Sequence, residues 1–231
     1  MDQLLLSLSK SIIVSCQAEG SDPFNEDPEY MALFARAAIM GGARGIRTQG
    51  IEKLCAIKRC VSEPIIGLLK SEFPDGSVRI TCSYKEVEEL ISAGSDIIAI
   101  DGTFRLREGL SGPEFIKEVK KRYNCIVLAD IATLDEALEC EKAGADCIST
   151  TLNGYTPDTK NDSGDYPNYE LLKKTVERVK IPVFAEGRYN TPLDARRAIE
   201  IGAFAVIVGS AITRPRVITS WFANSINNIK I

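Results

Sequence analysis

Four segments of the chain share one pattern, in which a helical stretch stops at a glycine and a short β-branched run follows. The glycines are Gly42, Gly94, Gly144 and Gly202, spaced 52, 50 and 58 residues apart, and a glycine there is typical of a helix C-terminus. Other apolar runs, preceded by charged helical tails, lie between these segments. Together with the run SIIVSCQ they predict eight strands, at 11–17, 44–48, 64–70, 96–101, 125–130, 146–151, 181–186 and 205–210.

These strands are continuously apolar rather than alternating, which indicates a parallel sheet buried on both faces by helices. Eight strand–helix units in 231 residues predict an α/β fold, a (β/α)8 TIM barrel that occupies residues 1–231 as a single domain. The alternative is an open doubly wound sheet, which should carry a glycine-rich loop after its first strand. The segment that follows the first strand, SCQAEGSD, does not have the GxGxxG pattern of such a loop.

Charge and composition indicate which partners and which cellular compartment the chain favours. The net charge of −4 argues against nucleic acid or an anionic membrane surface as a partner. No secretory signal is recognisable, and the longest uncharged apolar stretches are too short to span a bilayer. The seven cysteines include no CxxC pair, so we expect buried free thiols and a cytoplasmic protein.

The chain contains no histidine. Its absence excludes Ser-His-Asp and Cys-His mechanisms and removes the commonest zinc ligand, so we expect no metal site. A general acid or base must then be a lysine, aspartate, glutamate, tyrosine or cysteine.

A polar residue ends each predicted strand, where the active sites of barrels form. Any single strand is expected to end in a polar residue because it ends at the surface. As a set, however, five of the eight are ionisable and all would face one mouth, which indicates a site for a charged ligand. The eight are Gln17, Arg47, Lys70, Asp101, Asp130, Thr151, Glu186 and Ser210.

Lys70 follows the apolar run PIIGLL. A lysine in this position is a candidate base or Schiff-base amine. The alternative is a solvated lysine at the start of a loop.

The turns after the last two strands predict a phosphate site, because phosphate commonly binds there in barrels. Gly187, Gly209 and Ser210 would allow close approach to backbone N–H groups, and Arg188 or Arg214 could neutralise the dianion. Two long connections, at 152–169 and after the first strand, are either lids over the site or surface loops.

Eight motifs of the chain, in order, resemble those of the N-acetylmannosamine-6-phosphate 2-epimerases of bacterial sialic acid catabolism. The resemblance extends from about Ser11 to Trp221, and its motifs are SIIVSCQ, GIRTQG, PIIGLLK, VRIT, DIIAIDGT, TTLNGYT, AEGRYNTP and VGSAITR. It implies a phosphate-binding barrel, usually a homodimer, that acts on a small sugar phosphate. The implied reaction interconverts N-acetylmannosamine 6-phosphate and N-acetylglucosamine 6-phosphate and needs no cofactor.

The resemblance also assigns residues to roles. Lys70 and Glu186 fall on the family's catalytic lysine and glutamate, and the positions that contact the substrate fall on Gln17, Arg47, Asp130, Arg188 and Arg214. The chain departs from the family pattern at Ser71, where arginine is frequent, and at Ala132 and Asn153, where serine is frequent.

Epimerisation at carbon 2 removes one proton and returns one to the opposite face of that carbon. The proton becomes acidic in the open-chain aldehyde, where an enolate can form, and cationic groups near the oxyanion stabilise it. Lys70 is the predicted base and Glu186 its proton partner or orienter. One residue, two residues or a hydroxyl of the substrate could move the proton.

Three other functions are consistent with parts of this pattern. Lys70 could form a Schiff base in a barrel aldolase. A ribulose-phosphate-type epimerase is a further rival, although such enzymes use histidine-bound metal, and this chain has no histidine. The third is a sugar-phosphate binding protein that has no catalytic activity.

Overall fold

The structure, a computed structural model, describes residues 2–18, 20, 22–73, 77–162, 164 and 166–227. These residues form ten strands, of which eight close a parallel barrel in the order β1-β10-β9-β8-β7-β6-β3-β2, whereas β4 and β5 form a separate antiparallel hairpin. The strands are β1 (Ile12–Cys16), β2 (Gly45–Gln49), β3 (Ile65–Leu68), β4 (Lys70–Glu72), β5 (Val78–Ile80), β6 (Ile97–Asp101), β7 (Ile126–Asp130), β8 (Cys147–Ser149), β9 (Val183–Glu186) and β10 (Ala205–Val208).

Helices accompany the barrel strands, and most of them connect one strand to the next and cover the outer face of the barrel. They are α1 (Gln3–Ser7), α2 (Pro28–Met40), α3 (Ile51–Lys58), α4 (Tyr84–Ser92), α5 (Gly112–Arg122), α6 (Leu134–Ala143), α7 (Tyr169–Arg178), α8 (Pro192–Ile201), α9 (Ser210–Thr213) and α10 (Pro215–Asn227). Over the described residues, every helix is too short or too polar to cross a membrane. The architecture confirms the predicted (β/α)8 barrel.

Local sequence signals set the ends of the helices. A capping box starts α4, α5, α6 and α8, in which a serine or threonine and an acidic residue three positions later satisfy each other's backbone N–H groups. At the other end, the four glycines of the repeated pattern have φ between 84° and 114°. This left-handed conformation strains residues that carry a Cβ. It allows the chain to leave the helix and enter the next strand.

The apolar core has two layers separated by the barrel wall. The outer layer packs the strands against the helices. The inner layer fills the barrel, and Leu5 and Leu8, from α1 and its C-terminus, join Ile13, Phe184 and Ile207 in it. Side chains that point into the barrel alternate along each strand with those that point out. The opposite end of the barrel, where the strands have their carboxyl ends, is polar.

Each predicted strand lies within two residues of an observed one at both ends. Strands β3, β8 and β10 end two residues earlier than expected, at Leu68, Ser149 and Val208. Lys70 consequently begins the hairpin strand β4, where its backbone pairs with that of Ile80, instead of ending a barrel strand.

Candidate active site

A cavity of about 840 Å³ opens at the carboxyl ends of the barrel strands, a size that suits a small ligand. Nine of the ten residues predicted for the site line it: Gln17, Arg47, Lys70, Glu186, Gly187, Arg188, Gly209, Ser210 and Arg214. The tenth, Asp130, is not among the lining residues. It lies fully buried behind Arg47, so the structure places it next to a lining residue and not at the cavity surface.

The charges that line the cavity are almost all positive. Among the described residues, Glu186 is the only acidic side chain in the lining. The cationic ones are Arg47, Lys70, Arg105, Lys160, Arg188 and Arg214. Such a cavity favours an anionic ligand, because cationic side chains attract a phosphate and form charge-assisted hydrogen bonds to its oxygens.

Arg47 reaches across the inside of the barrel, from β2 to β7. Its Nη1 and Nη2 donate to Oδ1 and Oδ2 of Asp130 at 3.0 and 2.6 Å, and Nη1 lies 3.2 Å from Oε2 of Glu186. Burial alone would lower the pKa of Arg47, but the Asp130 and Glu186 carboxyl groups outweigh it and raise that pKa above its usual value. Arg47 is therefore a fixed cation, held by Asp130 in one orientation.

Glu186 ends β9 beside two hydroxyl groups. Its Oε2 lies 2.7 Å from Oγ1 of Thr151 and 3.2 Å from Oγ of Ser149. Burial raises the pKa of Glu186, and the nearby charge of Asp130 raises it further, while Arg47 and the hydroxyls of Thr151 and Ser149 oppose the shift. The net rise favours a carboxyl group that retains its proton to higher pH than an ordinary glutamate.

Lys70 lies on the other side of the cavity, at the start of the hairpin. The residue is exposed and lines the cavity together with Ser77, Val78 and Ile80 of the hairpin. Its position is that of a group able to reach a ligand from the hairpin side, while Glu186 reaches it from the barrel strands.

The turns after β9 and β10 form the end of the cavity where we predicted a phosphate site. Gly187 has φ 107° and Arg188 φ 63°, so two successive residues adopt the left-handed conformation, which is costly for arginine. Nη1 of Arg188 donates to the carbonyl oxygen of Asn153 at 3.1 Å. Nε of Arg214 donates to the carbonyl oxygen of Gln17 at 3.4 Å. Both arginines line the cavity together with the glycines of the predicted phosphate turns.

A comparison with protein families shows to which family the chain belongs. Residues 31–228 match the family described as "Putative N-acetylmannosamine-6-phosphate epimerase". The chain belongs to this epimerase family.

Curated relatives of this epimerase family member carry the name "Putative N-acetylmannosamine-6-phosphate 2-epimerase". The protein of Clostridioides difficile is 44% identical over 216 residues, which cover 93% of this chain and 95% of the relative. That of Caldanaerobacter subterraneus is 45% identical over 225 residues, covering 96% and 94%.

Solved structures agree with the family assignment. The N-acetylmannosamine-6-phosphate 2-epimerase from Clostridium perfringens superimposes with a TM-score of 0.90 at 40% identity, covering 96% of each chain. A thiamine phosphate pyrophosphorylase from Pyrococcus furiosus matches with a TM-score of 0.62 at 22% identity, over 90% of this chain and 89% of that one. The second match reflects the shared barrel fold alone.

Two of the three departures from the family pattern lie against each other in this epimerase family member. Nδ2 of Asn153 donates to the carbonyl oxygen of Ala132 at 2.9 Å, and Oδ1 of Asn153 accepts from Asn168 at 3.1 Å. These bonds anchor the base of the long connection at 152–169, within which Thr159 is also buried. Ser163 and Asp165 of that connection lie outside the described residues, as do Glu19 and Ser21 of the connection after β1. The third departure, Ser71, donates its hydroxyl to Glu86.

Two cationic lining residues, Arg105 and Lys160, were not predicted from the sequence. Nη2 of Arg105 donates to Oδ2 of Asp101 at 2.7 Å, and Asp101 also accepts from the buried Arg107 at 3.0 Å. Asp101 thus organises the loop after β6 and turns Arg105 toward the cavity. The motif DGTFRLR contains Asp101, Arg105 and Arg107. The sequence of a polar loop does not show in which direction an arginine side chain points.

Proposed function

We propose that this chain interconverts N-acetylmannosamine 6-phosphate and N-acetylglucosamine 6-phosphate, as an isomerase of amino sugar and sialic acid catabolism. The observation that carries the proposal is the cavity, whose described lining includes one acid and six cations, in a chain that belongs to the epimerase family. The phosphate of a sugar phosphate would bind to the guanidinium groups, and the remaining cations would stabilise the enolate that develops during the reaction.

In the proposed mechanism, residues 1–231 act as one barrel and need no cofactor. Arg188 and Arg214, with the backbone at Gly187, Gly209 and Ser210, bind the phosphate. Lys70 takes the proton from carbon 2 of the open-chain sugar and returns one to the opposite face of the enolate, with Glu186 as its proton partner or orienter. Gln17 and Arg47 hold the sugar hydroxyls and acetamido group, and Asp130, which is buried behind Arg47, contributes by orienting Arg47.

The test is to incubate the protein with N-acetylmannosamine 6-phosphate in deuterated water and to follow carbon 2 by NMR. We expect N-acetylglucosamine 6-phosphate to form with deuterium at carbon 2, because the abstracted proton exchanges with solvent. If neither product nor deuterium exchange were observed, the epimerase assignment would be refuted. Tight binding without turnover would identify a binding protein. Borohydride trapping of substrate on Lys70 would favour a Schiff-base aldolase.

We further propose that the enzyme is a homodimer that works in the cytoplasm. The compartment is supported by the cysteines, since all seven are free thiols, as suits a reducing environment. The dimer is supported by α10, none of whose described residues is buried. Its side chains Trp221, Phe222 and Ile226 are 39%, 68% and 66% exposed, and an exposed apolar stripe of this kind is typical of an interface.

Sedimentation velocity tests the dimer. We expect the wild-type chain to sediment as a dimer and Phe222→Asp as a monomer, because a carboxylate in an apolar interface would be desolvated without a partner. Leu193→Asp is the matched control, since Leu193 is 75% exposed on another helix. A monomeric wild type at micromolar concentration would refute the dimer. If both variants remained dimeric, the interface would lie away from α10.

A further inference from the structure

The hydroxyl of Thr151 lies between the two carboxyl groups of the site. Its Oγ1 is 2.8 Å from Oδ1 of Asp130, 2.7 Å from Oε2 of Glu186 and 2.7 Å from Oγ of Ser149. A hydroxyl has one proton to donate and two lone pairs that accept. Its three short contacts therefore use the whole capacity of the group.

The number of available protons decides whether both carboxyl groups can be ionised. Carboxylates only accept hydrogen bonds, and Thr151 has a single proton, so it could serve only one of two carboxylates. The other contact would bring two oxygen lone pairs together at 2.7–2.8 Å. If one carboxyl group keeps its proton, all three contacts are hydrogen bonds: Thr151 accepts from Ser149 and from that carboxyl group, and donates to the remaining carboxylate.

The distances to Arg47 identify Glu186 as the protonated partner. Asp130 is bound by two nitrogens of Arg47, the nearer at 2.6 Å, as expected for a charged pair. Glu186 has one contact to Arg47, at 3.2 Å. One guanidinium charge is thus matched by Asp130, and an ionised Glu186 would leave an excess negative charge in a buried cluster.

The other groups around Glu186 do not reverse this balance. Ser149 lies 3.2 Å from the same Oε2, and the register partner of Glu186 on β10 is the apolar Ile207. The other charged side chains in the described lining are all cationic: Lys70, Arg105, Lys160, Arg188 and Arg214. The raised pKa of Glu186, caused first by burial, agrees with the proton count.

We infer that Thr151 is a positioning residue that keeps Glu186 uncharged, by accepting a hydrogen bond from its carboxyl proton and donating its own proton to Asp130. The inference deepens the proposed function, on which its catalytic meaning rests. With Glu186 neutral, its carboxyl group adds no negative charge to the cavity in which Lys70 is proposed to act as a base. A neutral Glu186 also does not compete with the phosphate and the enolate for the cationic side chains of the lining.

The test measures the protonation of Glu186 in the protein alone, so its result does not depend on epimerase activity. The protein is labelled with 13C at the glutamate side-chain carboxyls and titrated by NMR, and Glu186→Gln identifies the Glu186 signal. We expect Glu186 to titrate above its ordinary value of 4.5. In Thr151→Val the proton should bind about tenfold more weakly, since the protonated form loses one more hydrogen bond than the ionised form.

The direction of the shift separates the inference from the alternative. If Thr151 only donated to an ionised Glu186, its loss would raise the pKa of Glu186 instead. Thr151→Ser keeps the hydroxyl and should restore the wild-type titration. Ser149→Ala removes a donor to Thr151 and a longer contact to Glu186, and should shift the titration less than Thr151→Val. Thr151→Ala removes the same hydroxyl if the valine variant does not fold. A raised or unchanged pKa in these hydroxyl-free variants, or a wild-type Glu186 that titrates at 4.5 or below, would overturn the inference.

Discussion

Lys70→Ala is expected to lower turnover, and deuterium exchange at carbon 2, by about a thousandfold, the contribution of a well-placed general base. The residue is exposed on the hairpin, and truncation of an exposed side chain costs little stability. The variant should therefore unfold at the wild-type urea concentration. Rates from single-turnover kinetics and the urea midpoint measure the two effects separately.

Two variants distinguish a role of Lys70 as general base from a role in which it contributes only its positive charge. Lys70→Arg keeps the charge but cannot lose its proton in a protein, so it should be nearly as inactive as Lys70→Ala. Lys160→Ala removes a different cation from the same cavity and should raise KM far more than it lowers kcat. Substantial activity in Lys70→Arg would take the role of base away from Lys70.

Most of the fold is predictable because its signals are local. Continuous apolar runs mark the strands, and glycines such as Gly144 and Gly202 mark the helix ends with φ 95° and 114°. The hairpin of β4 and β5 was missed because a strand of three residues, such as Lys70–Glu72, depends on its pairing partner more than on its own sequence.

The site was predictable to the extent that strand ends meet at one mouth of a barrel. The sequence does not predict which of these residues face the cavity, because their orientation depends on contacts across the barrel. Asp130 and Arg47 are 83 positions apart in sequence, and only the closed barrel brings them together. Arg105 was missed for a similar reason, since Asp101 determines its direction through an ion pair.

Arg47→Met is expected to destabilise the protein by about 3–5 kcal/mol, the typical cost of removing one partner of a buried ion pair. Asp130 is 0% exposed. Without Arg47 it would retain the hydroxyl of Thr151 as its hydrogen-bond donor among the described side chains. One hydroxyl cannot compensate the desolvation of a carboxylate. The free energy of unfolding in urea measures the loss, provided that the m-value is unchanged.

The double variant Arg47→Met/Asp130→Leu distinguishes an orphaned charge from a packing defect. It removes both charges and replaces them with apolar side chains, which is often neutral or stabilising for a buried pair. We therefore expect it to be more stable than Arg47→Met alone, although it has one more substitution. If the losses of Arg47→Met and of Asp130→Leu simply added in the double variant, the pair would not be coupled. Each residue would then stabilise the barrel independently of the other.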